Sequence, residues 1–323
     1  MMLVLKHNLK LLIFGIIMAV SASGYILFFY NNNADLAQAQ TASVQTDTGK
    51  DDGIAARVMP NNDHLNPLAW YKKNIKQQGS PSSLKVDGYE AVQEGRTVYV
   101  NAGNVSGTDL FTNIYIISYT QDAGGDTQNI FKQLLDNWIF NTNIIADAQV
   151  GQCMQIKNNN WEAVKDKKCY TDFQCDAGMY CDSAKAKITR DVRRLADLQI
   201  IKTAMENYKS KNKKYPDLAA GSYLAGKTIS VWPSWQKTLG KELGITLPAD
   251  PINKLVGCDD PNKDGTCWHE TEKRFGDLDG TALKHSIPDK LPADIYIYAY
   301  TATGGVCAVM ETNYTITQEF KCK

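Results

Sequence analysis

The sequence has few of the residues that most enzymes use in catalysis. Its histidines number four among 323 residues, and they are His7, His64, His269 and His285. His269 starts the stretch His-Glu-Thr-Glu, which lacks the second histidine of a zinc-protease motif. The chain also lacks a Gly-x-Ser-x-Gly elbow, a P-loop and a dinucleotide-binding fingerprint. These absences predict that the protein is not an enzyme. The remaining catalytic alternative is a secreted hydrolase whose two carboxylates lie far apart in the chain.

The sequence also lacks an excess of charge of either sign. Lysine and arginine total 35, aspartate and glutamate total 35, and the formal net charge is zero. It has no basic stripe with interleaved aromatic residues, the feature that marks many nucleic-acid-binding surfaces. The composition therefore argues against nucleic acid as a partner.

Charged residues are absent from residues 11–30, an apolar run long enough to cross a membrane. At about 1.5 Å per residue, a helix of this length spans a hydrocarbon core of roughly 30 Å. Lys6 and Lys10 precede the run, and the next basic residue is Lys50. The positive-inside rule therefore predicts a single-pass protein of the cell membrane, with a cytoplasmic N-terminus and the bulk of the chain at the extracytoplasmic cell surface.

A cleaved signal peptide is the alternative interpretation of the same run. Residues 20–22 and 37–39 both have the small-x-small pattern of a cleavage site. Cleavage after Ala22 would leave the apolar residues 25–30 exposed at the new N-terminus. That exposed tail favours the uncleaved anchor.

The cysteine spacings of zinc sites are missing, although the chain has eight cysteines. The sequence contains neither Cys-x-x-Cys nor a paired Cys/His spacing, which argues against zinc. An even number of cysteines on the exported side predicts disulfides. We expect Cys307 and Cys322 to pair, and Cys258 and Cys267 bracket a polar loop. The pairing among the other four stays open, and these are Cys153, Cys169, Cys175 and Cys181.

The segments after the anchor differ in composition. Residues 31–80 begin with few large apolar side chains, which predicts a flexible stalk. Residues 81–148 predict a small α/β domain, with strands on either side of Gly95 and over residues 114–119. Asp126 is expected to cap the helix that follows these strands.

A cysteine-rich knot is predicted over residues 149–182. Four cysteines lie among polar loops in this stretch, which is too short to build a large apolar core. Disulfides, each contributing about 2–4 kcal/mol, are therefore expected to hold it.

A long amphipathic helix is predicted to open the last domain, residues 183–323. Apolar residues recur every three or four positions from Ile188 to Tyr208, and Pro216 ends the helix. The charged residues fall mostly on the other side, where we expect solvent, and they are Arg190, Arg193, Arg194, Asp197, Lys202 and Glu206.

A hairpin is predicted near the C-terminus. Residues 295–300 alternate in the period of a half-buried strand, Gly304-Gly305 turns the chain, and residues 306–311 form the return strand.

Three segments of the last domain resemble the periplasmic part of type II secretion major pseudopilins and type IV pilin-like proteins. They are the helix with Ala204-x-x-x-Tyr208 and the following Tyr215-Pro216, the Leu-Pro-Ala-Asp-Pro at 247–251, and the hairpin at 295–311. The resemblance covers residues 184–323 and includes no prepilin peptidase signal. It implies a long helix packed on an antiparallel sheet, and partners that are other pilin-like or secretion-system subunits.

A candidate calcium site lies between Cys258 and Glu272. Oxygen-bearing side chains at alternate positions followed by Gly265 resemble a calcium-binding loop. An ordinary polar turn closed by a Cys258–Cys267 disulfide is the simpler interpretation, and no other cofactor is indicated. Pseudopilins often bind calcium in a loop of this region, so the resemblance adds to the calcium alternative. The candidate ligands are Asp260, Asn262, Asp264, Glu270 and Glu272.

Together these patterns predict an α+β protein: a single N-terminal transmembrane helix in residues 1–30, a stalk, a small α/β unit, a disulfide-rich knot and a C-terminal pilin-like domain. The function that this organisation indicates is structural or assembly work at the cell envelope. A stand-alone surface-binding protein or adhesin is the alternative.

Overall fold

The structure, a computed structural model, describes residues 52–141, 150–157, 160–219, 223, 225–255, 257, 268–269, 274–275, 295–301 and 303–322. Near the N-terminus it describes only two short strands, β1 (Ala19–Ser21) and β2 (Gly24–Ile26), which pair antiparallel. The rest of the expected anchor, residues 11–30, lies outside the described residues. In the described ranges no helix is both long and apolar enough to cross a bilayer.

An antiparallel sheet of five strands forms the first half of the described chain. Its strand order is β3-β7-β6-β5-β4, so the last four strands form a meander and β3 joins at the edge beside β7. The tight turn before β5 has positive φ at both Asp87 and Gly88, as an Asp-Gly hairpin turn requires. The elements are β3 (Ile54–Pro60), α1 (Pro67–Asn74), β4 (Ser82–Val86), β5 (Tyr89–Glu94), β6 (Thr97–Ser106), β7 (Asp109–Tyr119) and α2 (Gly125–Asp136).

Part of the segment expected to be a stalk is ordered on this sheet. β3 pairs with β7 along its whole length, and α1 begins at the N-cap Asn66. Trp70 and Tyr71 are buried against Tyr99, with ring centroids 6.0 and 5.3 Å away. Two aromatic side chains in one short helix therefore join this segment to the sheet in a shared apolar cluster.

The cap of α2 differs from the expected one. Its N-cap is Gly124, and Asp126 lies within the first turn. The carboxylate of Asp52 lies at this helix end, where it accepts hydrogen bonds from the Gly124 amide at 3.1 Å and the Thr127 hydroxyl at 2.6 Å. Asp52, which is distant in sequence, therefore binds the start of the helix where the local pattern predicted a cap by Asp126.

The disulfide-rich segment forms a small three-stranded sheet with the order β10-β8-β9. Its strands are β8 (Gly151–Lys157), β9 (Asn160–Cys169) and β10 (Tyr180–Cys181). The structure settles the pairing that the sequence left open, with disulfides Cys153–Cys175 and Cys169–Cys181. Three of these cysteines are buried together with Ala186, so the bridges pack on the start of the following helix.

The long helix α3 (Ala184–Asn212) agrees with its sequence prediction. The Ser183 hydroxyl caps its start by accepting a hydrogen bond from the Ala186 amide at 3.0 Å. Lys213 ends it with a left-handed backbone, φ 62°. A Cβ added at Gly103 of β6 would lie 2.8 Å from Val192, so α3 approaches the five-stranded sheet closely at that glycine.

The remaining residues form short elements around a second three-stranded sheet, with the order β11-β14-β15. The predicted hairpin is confirmed as β14 paired with β15, and the Cys307–Cys322 disulfide is present. The elements are β11 (Lys227–Ile229), a π-helical segment Trp235–Gly240, α4 (Lys241–Leu243), β12 (Trp268–His269), β13 (Arg274–Phe275), β14 (Tyr298–Thr301), β15 (Val306–Ala308) and α5 (Thr315–Glu319).

The expectation that residues 295–300 are half buried is wrong, because both faces of this stretch are covered. Tyr298 and Tyr300 join the main core with α3. Ile295 and Ile297 face the other way, into a second apolar cluster that contains Trp232 and Trp268. The tyrosines and the aliphatic residues of this stretch therefore face two different buried clusters, and neither set faces solvent.

A single apolar core connects segments that the sequence assigns to different domains. Val98 of the five-stranded sheet, Leu195 and Leu198 of α3, and Tyr298 of the hairpin belong to the same cluster. The chain end adds a backbone link, since the Thr315 amide donates to the carbonyl of Thr108 at 3.0 Å. The core thus places the two sheets and α3 in fixed relation to one another.

Candidate functional site

The first part of the charged side of α3 is buried, which corrects the expectation that this side lies in solvent, whereas Lys202 and Glu206 farther along the helix are exposed as expected. Arg190, Arg194 and Asp197 are exposed by 2%, 0% and 6% respectively. Their surface is covered because the segments that carry Asp250 and Glu311 lie against this side of the helix and bond to it. Because this part of α3 is covered on both sides, charged side chains are buried there. Arg190, Arg194 and Asp197 each have an ion-pair partner of opposite charge.

Arg194 is the centre of the buried charge cluster. Its Nε and Nη2 donate to the two oxygens of Asp250 at 2.6 and 3.0 Å. Its Nη1 donates to Asp191 at 2.8 Å and to Glu311 at 2.6 Å. One guanidinium therefore joins three carboxylates that stand on three different parts of the fold.

Arg190 extends the cluster to the disulfide-rich segment. It holds both oxygens of Glu311, through Nε at 2.6 Å and Nη2 at 2.7 Å. Its Nη1 donates to Asp172 at 2.5 Å, and its guanidinium lies 5.0 Å from the ring centroid of Tyr180. The charged residues thus connect α3, the chain after β15 and the loop between β9 and β10.

The charged groups of this cluster bind one another. Burial acts to raise the pKa of Glu311, but Arg194 and Arg190 outweigh it and hold that pKa below its usual value. The Asp191 carboxylate also accepts hydrogen bonds from the Glu311 amide at 3.1 Å and the Thr312 amide at 2.8 Å. With its groups bonded to one another, this arrangement fixes α3, the Asp250 loop and the residues after β15 against one another.

Asp197 lies one turn beyond the cluster and has a different environment. It accepts a hydrogen bond from the Tyr298 hydroxyl at 2.8 Å, and the Nε of Arg193 lies 3.5 Å away. Burial raises its pKa from 3.8 to about 7, against the opposing effects of Arg193 and Tyr298. Its charge therefore changes near neutral pH.

The cysteines do not form a metal site in the described part of the chain. The sulfur atoms of Cys153, Cys169 and Cys175 lie within 4.8 Å of one another. All three belong to disulfides, so none is the thiolate that zinc binding requires. Cys258 and Cys267 lie outside the described residues.

The candidate calcium loop also lies outside the described residues, with all five of its candidate ligands: Asp260, Asn262, Asp264, Glu270 and Glu272. Of the histidines, His64 contacts the Thr112 hydroxyl at 2.8 Å, and burial lowers its pKa. The Thr112 hydroxyl in turn donates to the Asn61 carbonyl at 2.7 Å. His269 stands in the short strand β12.

An open groove of about 630 Å³ runs along the second half of α3. The start of α1 and the loop before it form one wall, and the end of α4 with the residues after it forms the other. The apolar part of its lining includes the half-buried residues Ile200, Leu243 and Ile245. Its polar lining residues are Asn66, Gln199, Thr203, Asn207, Tyr208, Lys211, Asn212 and Glu242.

Sequence reasoning missed the partners of the buried arginines. Arg190 and Arg194 stand four residues apart beside Asp191, a spacing that is most typical of ion pairs on exposed helices. Their shared partner Glu311 lies 121 residues after Arg190, so no local pattern connects the two. The one available signal was Asp250 in the Asp-Pro segment, which belongs to the pilin-like resemblance.

Comparison of the chain with protein-family models, with curated proteins and with solved structures finds no match.

Proposed function

We propose that this protein is a membrane-anchored structural or assembly protein of the cell envelope, with a pilin-like C-terminal module. The observation that carries the proposal is that the three segments quoted for the resemblance contact one another around α3. The helix is the element they share.

The Tyr-Pro segment joins the end of α3 to the terminal hairpin. The Tyr300 hydroxyl of β14 donates to the carbonyl of Pro216 at 2.7 Å. A Cβ added at Gly304, in the hairpin turn, would lie 2.3 Å from the ring of Tyr215. The aromatic ring therefore occupies the space that the glycine leaves open.

The Asp-Pro segment and the end of the hairpin bind the charged side of α3. Asp250 pairs with Arg194 through two hydrogen bonds, and Glu311 pairs with Arg190 through two more. A long helix bound by a terminal hairpin and an Asp-Pro loop is the arrangement that the resemblance implies. These contacts support a module whose function is packing and partner contact.

The proposed location rests on the sequence and on the disulfides. The described residues contain three disulfides, which form and persist in oxidising compartments outside the cytoplasm. The anchor within residues 11–30 is the sequence prediction that would hold this module at the membrane.

Site-specific photocross-linking in cells tests the proposal. A photoreactive amino acid replaces Lys202, which is exposed on α3, and the matched control replaces Lys132, which is exposed on α2. We expect cross-links from position 202 to a second copy or to other envelope assembly subunits, and far fewer from position 132. A chain that stays monomeric with no cross-linked subunit at position 202, or equal cross-linking from both positions, would overturn the proposal.

A further inference from the structure

The groove along α3 has the size and lining of a ligand site. Its volume of about 630 Å³ lies within the range of roughly 300–1,000 Å³ that is common for small-molecule sites. It is formed between three segments of the fold, and two of its walls come from residues far apart in sequence. A single exposed helix face would not enclose such a space.

Unpaired carboxamides line this groove. Gln199 and Asn207, both on α3, have no hydrogen-bond partner among the described residues, although most other lining amides are partly used. The Asn66 oxygen caps α1 by accepting from the Ala69 amide, and the Asn66 amino group has no hydrogen-bond partner among the described residues. A carboxamide both donates and accepts hydrogen bonds, as a hydroxyl group does.

The charges of the lining cancel. Lys211 and Glu242 are the charged lining residues, one of each sign. Tyr208 is a half-buried lining residue with its hydroxyl 3.4 Å from the Glu242 carboxylate, so its ring adds an amphipathic surface to the site. This balance disfavours a strongly acidic or strongly basic ligand.

We propose that the groove binds a neutral oligosaccharide. Sugar hydroxyls match the carboxamides of Gln199 and Asn207, since both kinds of group donate and accept. The C–H faces of a sugar ring match the Tyr208 ring and the apolar residues Ile200 and Leu243. An apolar helix from a partner protein would fill the same space but would leave the carboxamides without hydrogen bonds, which is unfavourable.

The test is binding of the full-length chain to an array of neutral gluco-, galacto-, manno- and N-acetylglucosamine oligosaccharides, followed by calorimetric titration of the probe that binds best. Sugar-based detergents are left out of the preparation because their head groups would compete. The variant Asn207→Leu removes one carboxamide from the groove. The matched control Asn129→Leu changes an exposed asparagine of α2, far in sequence from the groove residues.

We expect Asn207→Leu to weaken binding about tenfold, the loss of one hydrogen bond, and Asn129→Leu to leave binding unchanged. Failure of every neutral probe to bind would overturn the proposal, as would binding of charged glycans alone. A dimer in solution that Asn207→Leu dissociates would also overturn it, because the occupant would then be a second copy. None of these outcomes depends on cross-linking from position 202.

Discussion

Arg194 and Asp250 face each other through two parallel hydrogen bonds, and neither side chain has any exposed surface. Asp250 precedes Pro251 in a loop that carries little secondary structure of its own. The arginine therefore fixes that loop against α3. Because the same guanidinium also bonds Asp191 and Glu311, removing it would leave three buried carboxylates short of a partner.

Replacing Arg194 is expected to destabilise the fold severely. Arg194→Met should lower the free energy of unfolding by about 3–5 kcal/mol, since it leaves buried charges uncompensated. Arg194→Lys keeps the charge but cannot form the two parallel bonds, and we expect a loss of about 2 kcal/mol. Urea unfolding measures both values.

The control for these variants is Lys202→Met, an exposed position on the same helix, which should change the free energy of unfolding by less than about 0.5 kcal/mol. If Arg194→Lys were as stable as the wild type, the paired geometry would not contribute as described.

Gly304 is expected to resist substitution because of Tyr215. Gly304 has φ 88°, and an added methyl group would meet the Tyr215 ring. Gly178 has nearly the same backbone, φ 84°, with nothing within 4 Å of its added Cβ. Gly178→Ala should therefore cost only the backbone strain, about 1–2 kcal/mol. Gly304→Ala should cost about 1–3 kcal/mol more, measured by urea unfolding. Equal losses for the two variants would contradict the close contact between Tyr215 and the hairpin turn.

Local patterns in the sequence were sufficient for the elements that local forces decide. The apolar period and Pro216 define α3, and Gly304-Gly305 with the flanking apolar residues defines the hairpin of β14 and β15. These predictions hold because a helix end and a tight turn depend on neighbouring residues. The Cys307–Cys322 disulfide could be predicted for the same reason, because it closes a short loop.

Long-range partners decide the features that the sequence did not reveal. Amphipathic pattern alone makes Arg190 and Arg194 appear exposed, because nothing near them shows that Glu311 and Asp250 will cover them. Likewise Asp52 caps α2 only because β3 returns to the sheet edge beside that helix. The groove was also unpredictable, since its walls come from three separate segments.

The candidate calcium loop predicts a response to chelation. If the oxygen ligands around Asp264 bind calcium, EDTA should lower the melting temperature and added calcium should restore it, because a bound ion stabilises the folded state by mass action. Asp264→Ala should remove the difference between melts with and without EDTA. An unchanged melt of the wild-type chain in EDTA would leave the polar turn as the correct interpretation.

Asp197 predicts a pH dependence of stability. Its folded pKa of about 7 lies above the value of 3.8 for a free side chain, so the folded state retains a proton that the unfolded state releases. Between these two values the folded state binds more protons, and stability falls as pH rises, by at most about 1.4 kcal/mol per pH unit. Below this window Asp197 contributes no such loss, and above it the loss is constant.

The variant Asp197→Asn isolates this effect, because an asparagine oxygen can still accept the hydrogen bond from the Tyr298 hydroxyl but carries no charge at any pH. Urea unfolding of both proteins from about pH 5 to about pH 8 should show the variant gaining stability relative to wild type as pH rises, with the gain levelling off above about pH 7. Glu311 responds in the opposite sense, since its lowered pKa makes it stabilising at high pH, but it is present in both proteins and cancels in the difference. A difference that is flat across this range would show that Asp197 is ionised in the folded state throughout, with Arg193 outweighing the effect of burial.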